Sequence, residues 1–303
     1  MIVDCFTHTW ETDSSLGRRL PTSDHQNGSS PASSPRAAAA RHRAASEPVD
    51  VTLVLGFKSQ YLGAEISNDT IAGYVKSQGH RMIGIAGVDP SDPSRAISEL
   101  RRARQELNMP GLAVAPAAQG FHPSSSQAMC VYAEAAALGL PVIFHTGTHL
   151  TQATKLEYAQ PVLLDEVARE LPDLRMVIAH LGSPWVHETI ELLRKHPNVY
   201  SEISGLLQQP RRAYEALLSA HHCGVFEKLL FGSGFPDAPA SLCIESLYGL
   251  NHLVHGTNLP TIPREQLRGI VERDALTLLG IAYDRPATSR LVPVPIDEIH
   301  DDV

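Results

Sequence analysis

Residues 141–180, PVIFHTGTHLTQATKLEYAQPVLLDEVARELPDLRMVIAH, hold one complete structural repeat. A short apolar run, Pro141–His145, precedes a stretch with helical spacing, Pro161–Leu171, and a second short run, Arg175–His180. Runs of this length rich in branched residues read as strands, and strand, helix, strand in succession reads as a parallel βα unit. Both runs end in histidine.

The same rhythm extends in both directions. Upstream, the strands are Val51–Leu55, Arg81–Val88 and Gly111–Ala115. Helices between them are expected over Asn68–Gln78, capped by Asn68 or Asp69, over Ser94–Leu107, and over Ser126–Leu138 with Gly139 as its stop. Downstream come a helix over Val186–Lys195 and strands Asn198–Ile203 and Lys228–Gly232. The opening decapeptide, MIVDCFTHTW, supplies the first strand. Eight strands alternating with helices predict an α/β chain folded as a (β/α)8 TIM barrel in a single domain.

Between the first strand, 1–10, and the barrel remainder, 49–283, lies an insertion at 11–48 rich in Ser, Pro, Ala, Arg and Gly. It has too few large apolar residues to offset the entropy of ordering it, so disorder is expected there. Ala37–Ala45 could form a short exposed helix with no sign of a site. Residues 284–303 read as an irregular tail.

Composition narrows the function. A formal charge of −8 argues against nucleic acid as a partner and against anionic membrane surfaces. Cys5, Cys130, Cys223 and Cys243 lie far apart without paired spacing, which suits a reducing compartment. No apolar run reaches the ~20 residues that span a bilayer. The amino terminus also lacks a basic segment followed by an apolar one. The expectation is a soluble cytoplasmic protein acting on a small molecule, with no organic cofactor.

Barrel chemistry sits at the carboxy-terminal ends of the strands. Three strands end in histidine there, at His8, His145 and His180. One such residue usually means a satisfied core imidazole, but three converging on one mouth point to metal binding or proton transfer. Three imidazoles suit Zn²⁺ at ~2.0 to 2.1 Å with a fourth position left for water. Strict alternation along the first strand puts Ile2, Asp4, Phe6 and His8 on one face.

These residues carry a family likeness. VDCFTH, GLPVIFHTG, LRMVIAHLG, PNVYSEISG and FGSGFP resemble the amidohydrolase superfamily, in particular the amidohydrolase-related branch that includes aminocarboxymuconate-semialdehyde decarboxylase. The resemblance implies a hydrolase or decarboxylase of a small carboxylated or cyclic substrate, with Zn²⁺ or another divalent metal, and makes a homodimer plausible. It implies metal ligation by His8 and His145, with His180 binding metal or positioning water. Two positions depart from the family pattern. Phe6 stands where a first-strand histidine is usual, and Gly234 where an eighth-strand aspartate serves as ligand and base.

Asp237 or Glu202 could replace that base, although Asp237 also suits a turn. His149 and Trp185 could line or wall the pocket, or be packing and surface residues. Phe6 would border the substrate, and its ring is expected to lean into the space vacated at Gly234. Three readings follow: a metal-dependent hydrolase or decarboxylase, an inactive barrel kept as a ligand- or protein-binding module, and metal-free acid/base catalysis by His145 and His180 on an activated ester or lactone.

Overall fold

A computed structural model of the chain describes residues 1–9, 35–146 and 153–283. Trp10, most of the insertion, His149 and the 284–303 tail lie outside the described residues. Strands β1 (Val3–Thr7), β2 (Val51–Leu55), β5 (Met82–Gly87), β6 (Leu112–Val114), β7 (Val142–Phe144), β8 (Met176–Ile178), β9 (Val199–Glu202) and β10 (Leu229–Leu230) form one parallel sheet in chain order. A bridge between Thr7 and Phe235 joins the last stave to the first, so the sheet is a barrel. A small hairpin, β3 (Phe57–Ser59) with β4 (Ala64–Ile66), follows β2 and was not foreseen in the sequence.

The helices are α1 (Pro35–Ala45), α2 (Asn68–Ser77), α3 (Pro93–Gln105), α4 (Pro116–Gln119), α5 (Ser126–Ala137), α6 (Leu164–Glu170), α7 (Val186–Lys195), α8 (Pro210–His222), α9 (Ala240–Tyr248), α10 (Arg264–Glu272) and α11 (Ala275–Leu279). Ser67 caps α2 by accepting from the Thr70 N–H, one residue ahead of the caps expected. Gly139, at φ +68°, follows α5 as predicted.

Period-two alternation splits the apolar side chains into two layers. In β7, Val142 and Phe144 join the outer layer under the helices, while Ile143 points into the lumen. In β8, Met176 and Ile178 face out and Val177 faces in. A parallel sheet covered on both faces needs such continuous apolar strands.

The first strand breaks the alternation. Its register with β2 runs Val3 to Val51 and Asp4 to Thr52, then Thr7 to Val54, so β1 carries one extra residue between Asp4 and Thr7. Such a bulge reverses the facing of everything beyond it. Asp4 therefore turns outward with Thr52 and Val54, and Phe6 and His8 turn inward. The shared face expected for Asp4 and His8 is corrected by that single residue. Asp4 accepts from the Ser233 and Phe6 N–H groups at 2.9 and 3.3 Å. Burial raises its carboxyl to about 6.

Helix α1 also departs from expectation. It is docked, and its His42 is completely buried. The chain leaving it is held by Arg81, whose Nη2 donates to the Glu47 and Val49 carbonyls at 2.8 Å.

Candidate active site

Four rings meet at the carboxy-terminal mouth. Phe6, 2 % exposed, lies 5.1 Å from His8, 5.1 Å from His145 and 4.8 Å from His180 between ring centroids, in edge-to-face contact with each. His145 lies 4.8 Å from His180, and His8 stacks at 6.1 Å from His145. The strand-end histidines therefore converge as predicted, around a phenyl ring.

Phe6 is expected from the sequence to lean toward Gly234. The two backbones are neighbours, with the Gly234 N–H donating to the Phe6 carbonyl at 3.0 Å. A side chain at Gly234 would instead start 3.2 Å from the Ser204 Cβ, and this glycine sits at φ +74°. The Phe6 ring is drawn to the imidazoles, where edge-to-face pairing is worth ~0.5–1.5 kcal/mol beyond burial.

His180 is held through its backbone and its ring. It opens a turn in which His180, Leu181 and Gly182 all take positive φ, at 58°, 48° and 63°. Only glycine fits the third position, because a Cβ there would lie 1.9 Å from the Thr189 Oγ1. The His180 Nδ1 lies 2.8 Å from the Ser204 Oγ and 3.0 Å from the Ser204 carbonyl. The Ser204 hydroxyl donates to the Glu202 Oε1 at 2.9 Å. A carbonyl can only accept, so Nδ1 carries the proton and Nε2 the lone pair. His8 is fixed alike, its Nδ1 donating to the Leu55 carbonyl at 3.3 Å.

Glu202, the other candidate base, is a buried acceptor. It is wholly buried, accepting from the His180 N–H at 2.7 Å, the Ser204 N–H at 2.6 Å and the Ser204 hydroxyl. It fits because Gly232 has no side chain, where a Cβ would lie 2.1 Å from Oε2. Burial pushes its carboxyl up to about 7 against the pull of these donors. Asp237 is exposed, its N–H closing a turn onto the Gly234 carbonyl at 3.0 Å. Trp185 is half-buried at the start of α7, its N–H donating to the Gly182 carbonyl.

A divalent cation does not fit these residues. Phe6 presents carbon where a lone pair is needed, Gly234 offers no donor, and Glu202 is occupied by its own hydrogen bonds. Among the described residues no group of three His, Cys, Asp or Glu side chains is arranged to hold a metal.

Ser204, Thr7 and His42 complete the surroundings and were not foreseen. Burial holds the His42 imidazole down to about 4, with the charge of His8 adding to the effect. An unfolded histidine titrates near 6.5, so between that value and about 4 the unfolded chain takes up a proton that the fold refuses. The contribution of His42 to stability should therefore fall as pH drops through this window, by about 3 kcal/mol in the limit. Asp4 and Glu202 push the slope the other way, but they are common to wild type and His42→Phe. Urea melts at several pH values should show wild type losing stability relative to His42→Phe as pH falls through this window. Parallel curves for the two proteins would refute it.

A barrel whose titratable side chains gather at the carboxy-terminal mouth has the layout of a TIM-barrel enzyme. The chain belongs to the amidohydrolase family, whose model matches residues 3–282. Among solved structures it is similar to an uncharacterised TIM-barrel protein of Bordetella bronchiseptica (22% identity, TM-score 0.71, covering 92% of this chain and 98% of that one). It is also similar to a probable 2-pyrone-4,6-dicarboxylic acid hydrolase of Acinetobacter baumannii with citric acid bound (14%, 0.63, 92% and 99%). A third is a dihydroxybenzoic acid decarboxylase of Polaromonas sp. JS666 with bound manganese and the inhibitor 2-nitroresorcinol (15%, 0.63, 92% and 97%). At these identities the likeness establishes the fold. No curated protein sequence matches the chain. Among the described residues no helix is long and apolar enough to cross a membrane.

Proposed function

We propose that this protein is a hydrolase or decarboxylase of a small carboxylated or cyclic molecule, working by imidazole acid/base chemistry without a resident divalent cation. The observation that carries the reading is the Phe6 ring set among His8, His145 and His180 while the tautomer of His180 stays fixed through Ser204 and Glu202. For hydrolysis, His180 Nε2 is the base that takes a proton from attacking water while a protonated His145 gives its own proton to the leaving group, and proton transfer from His180 back to His145 resets the pair. Ser204 and Glu202 position His180 and do not touch substrate. Family membership and the chemistry named for the similar structures support the substrate class. A barrel kept only for binding has no need of an imidazole held in one tautomer, so the inactive-module reading is not favoured. The free cysteines are consistent with a cytoplasmic location.

The test is a panel of lactones and carboxylated phenols, assayed with chelator-treated protein whose metal content is known. Turnover should survive chelation and fall at least ~100-fold in His180→Asn, the usual range for losing a general base. Turnover only with a stoichiometric divalent ion, or unchanged in His180→Asn, would sink the proposal.

A further inference from the structure

We propose that His42, carried by the helix of the insertion, is a positioning residue that locks the bulged end of β1 so that Phe6 and His8 point into the barrel. His42 thereby adds to the site described above an element outside the eight staves.

The hydrogen bonds fix every proton. The Thr7 hydroxyl donates to the Leu53 carbonyl at 2.7 Å, so toward His42 it can only accept. His42 therefore donates from Nε2 to the Thr7 Oγ1 at 3.1 Å. Its Nδ1 is left with the lone pair and accepts from the Tyr74 hydroxyl at 3.0 Å. The imidazole also stacks on Phe235 at 4.7 Å and 13°. Phe235 is the residue that closes the barrel against β1, bridging Thr7 and accepting from the His8 N–H at 2.9 Å. His42 thus grips both sides of the closure, in the one tautomer that satisfies both bonds.

The bulge gives this grip a purpose. A strand with one surplus residue has a competing register one step away, and that step exchanges inward and outward side chains. In the competing register Thr7 would enter the lumen and His8 would leave it. The bond from His42 exists only while Thr7 faces outward, so it selects the register that builds the mouth. A residue filling space alone would not discriminate between them.

The experiment compares wild type with His42→Phe, which keeps the stacked ring, Thr7→Val, which keeps the shape without the acceptor, and His42→Gln, which carries both a donor and an acceptor. Long-range proton–nitrogen spectra at pH 7, with His8 assigned from a His8→Gln sample, should show His42 protonated on Nε2. They should also show the His8 signal displaced or doubled in His42→Phe and Thr7→Val, and restored toward wild type in His42→Gln. With a substrate from the panel, the first two variants should lose about tenfold in kcat with KM within about twofold. Folded His42→Phe and Thr7→Val with an unchanged His8 signal would overturn the proposal, as would His42 protonated on Nδ1. The spectra need no substrate, so they decide the matter even if the proposed activity is absent. If His42→Phe does not fold, Thr7→Val decides alone.

Discussion

Glu202→Ala should lower the free energy of unfolding by about 3–5 kcal/mol, the range for stranding partners of a buried ionic group. Three donors end on this carboxylate, from the His180 N–H, the Ser204 N–H and the Ser204 hydroxyl. None can reach water, since His180, Glu202 and Ser204 are all buried. The loss falls on a turn already bearing two non-glycine residues at positive φ, a conformation that costs roughly 1 kcal/mol or more per residue and persists only when neighbours enforce it. Turnover should vanish together with stability, because His180 loses the group that orients it through Ser204. Glu202→Gln should fall between the two, since an amide can accept at one oxygen while its NH2 faces a donor. Denaturant melts with a parallel assay of the folded fraction make the measurement. A Glu202→Ala protein within 1 kcal/mol of wild type would show that the carboxylate is dispensable.

Phe6→His should raise the zinc held by the barrel above that of wild type, to about one ion per chain. The phenyl ring is about 5 Å from all three imidazoles. A metal at ~2.0–2.1 Å from a ring nitrogen sits about 3 Å from that ring's centre, so a fourth imidazole completes a tetrahedron of suitable size. The existing anchors favour this outcome. His8 and His180 both spend Nδ1 on protein acceptors, which leaves Nε2 as the ligand atom. Without metal the variant should be about 1–2 kcal/mol less stable, having lost a phenyl from a closed site. At a metal concentration 1,000 times Kd it should gain about 4 kcal/mol. Elemental analysis and thermal melts with and without zinc read both effects. A folded Phe6→His protein that takes up no more zinc than wild type would mean that the imidazoles are held too far apart to share an ion.

Strand positions were legible because an enclosed parallel sheet leaves a strong apolar signal. Val51–Leu55 and Val186–Lys195 match the sequence reading to the residue. The convergence of His8, His145 and His180 followed from barrel geometry once the strands were placed. The orientation of single residues was harder to read, because it turns on features without a local signature. The bulge in β1 is one surplus residue between Asp4 and Thr7, and it alone parts the facing of Asp4 from that of Phe6 and His8. Glu202 ends its strand in the expected place, yet the absence of a side chain at Gly232, 30 residues later, lets it turn inward. His42 sits in AAAARHRAA, where composition suggests a solvated helix, and only its contacts with Thr7, Tyr74 and Phe235 show otherwise.

The order of the staves has a consequence for how the chain comes together. The bond from the Ser233 N–H to Asp4 spans 229 residues, almost the full length of the barrel, whereas that from His42 to Thr7 spans 35. Contacts of large sequence separation form late, because the entropy of closing the loop has to be met first. During synthesis β1 leaves the ribosome long before its closing neighbour, with polar backbone groups exposed along one edge. Among the described residues helix α1 is the first element after β1 and it reaches that strand through His42, so the segment that interrupts the repeat also gives the opening strand an early companion.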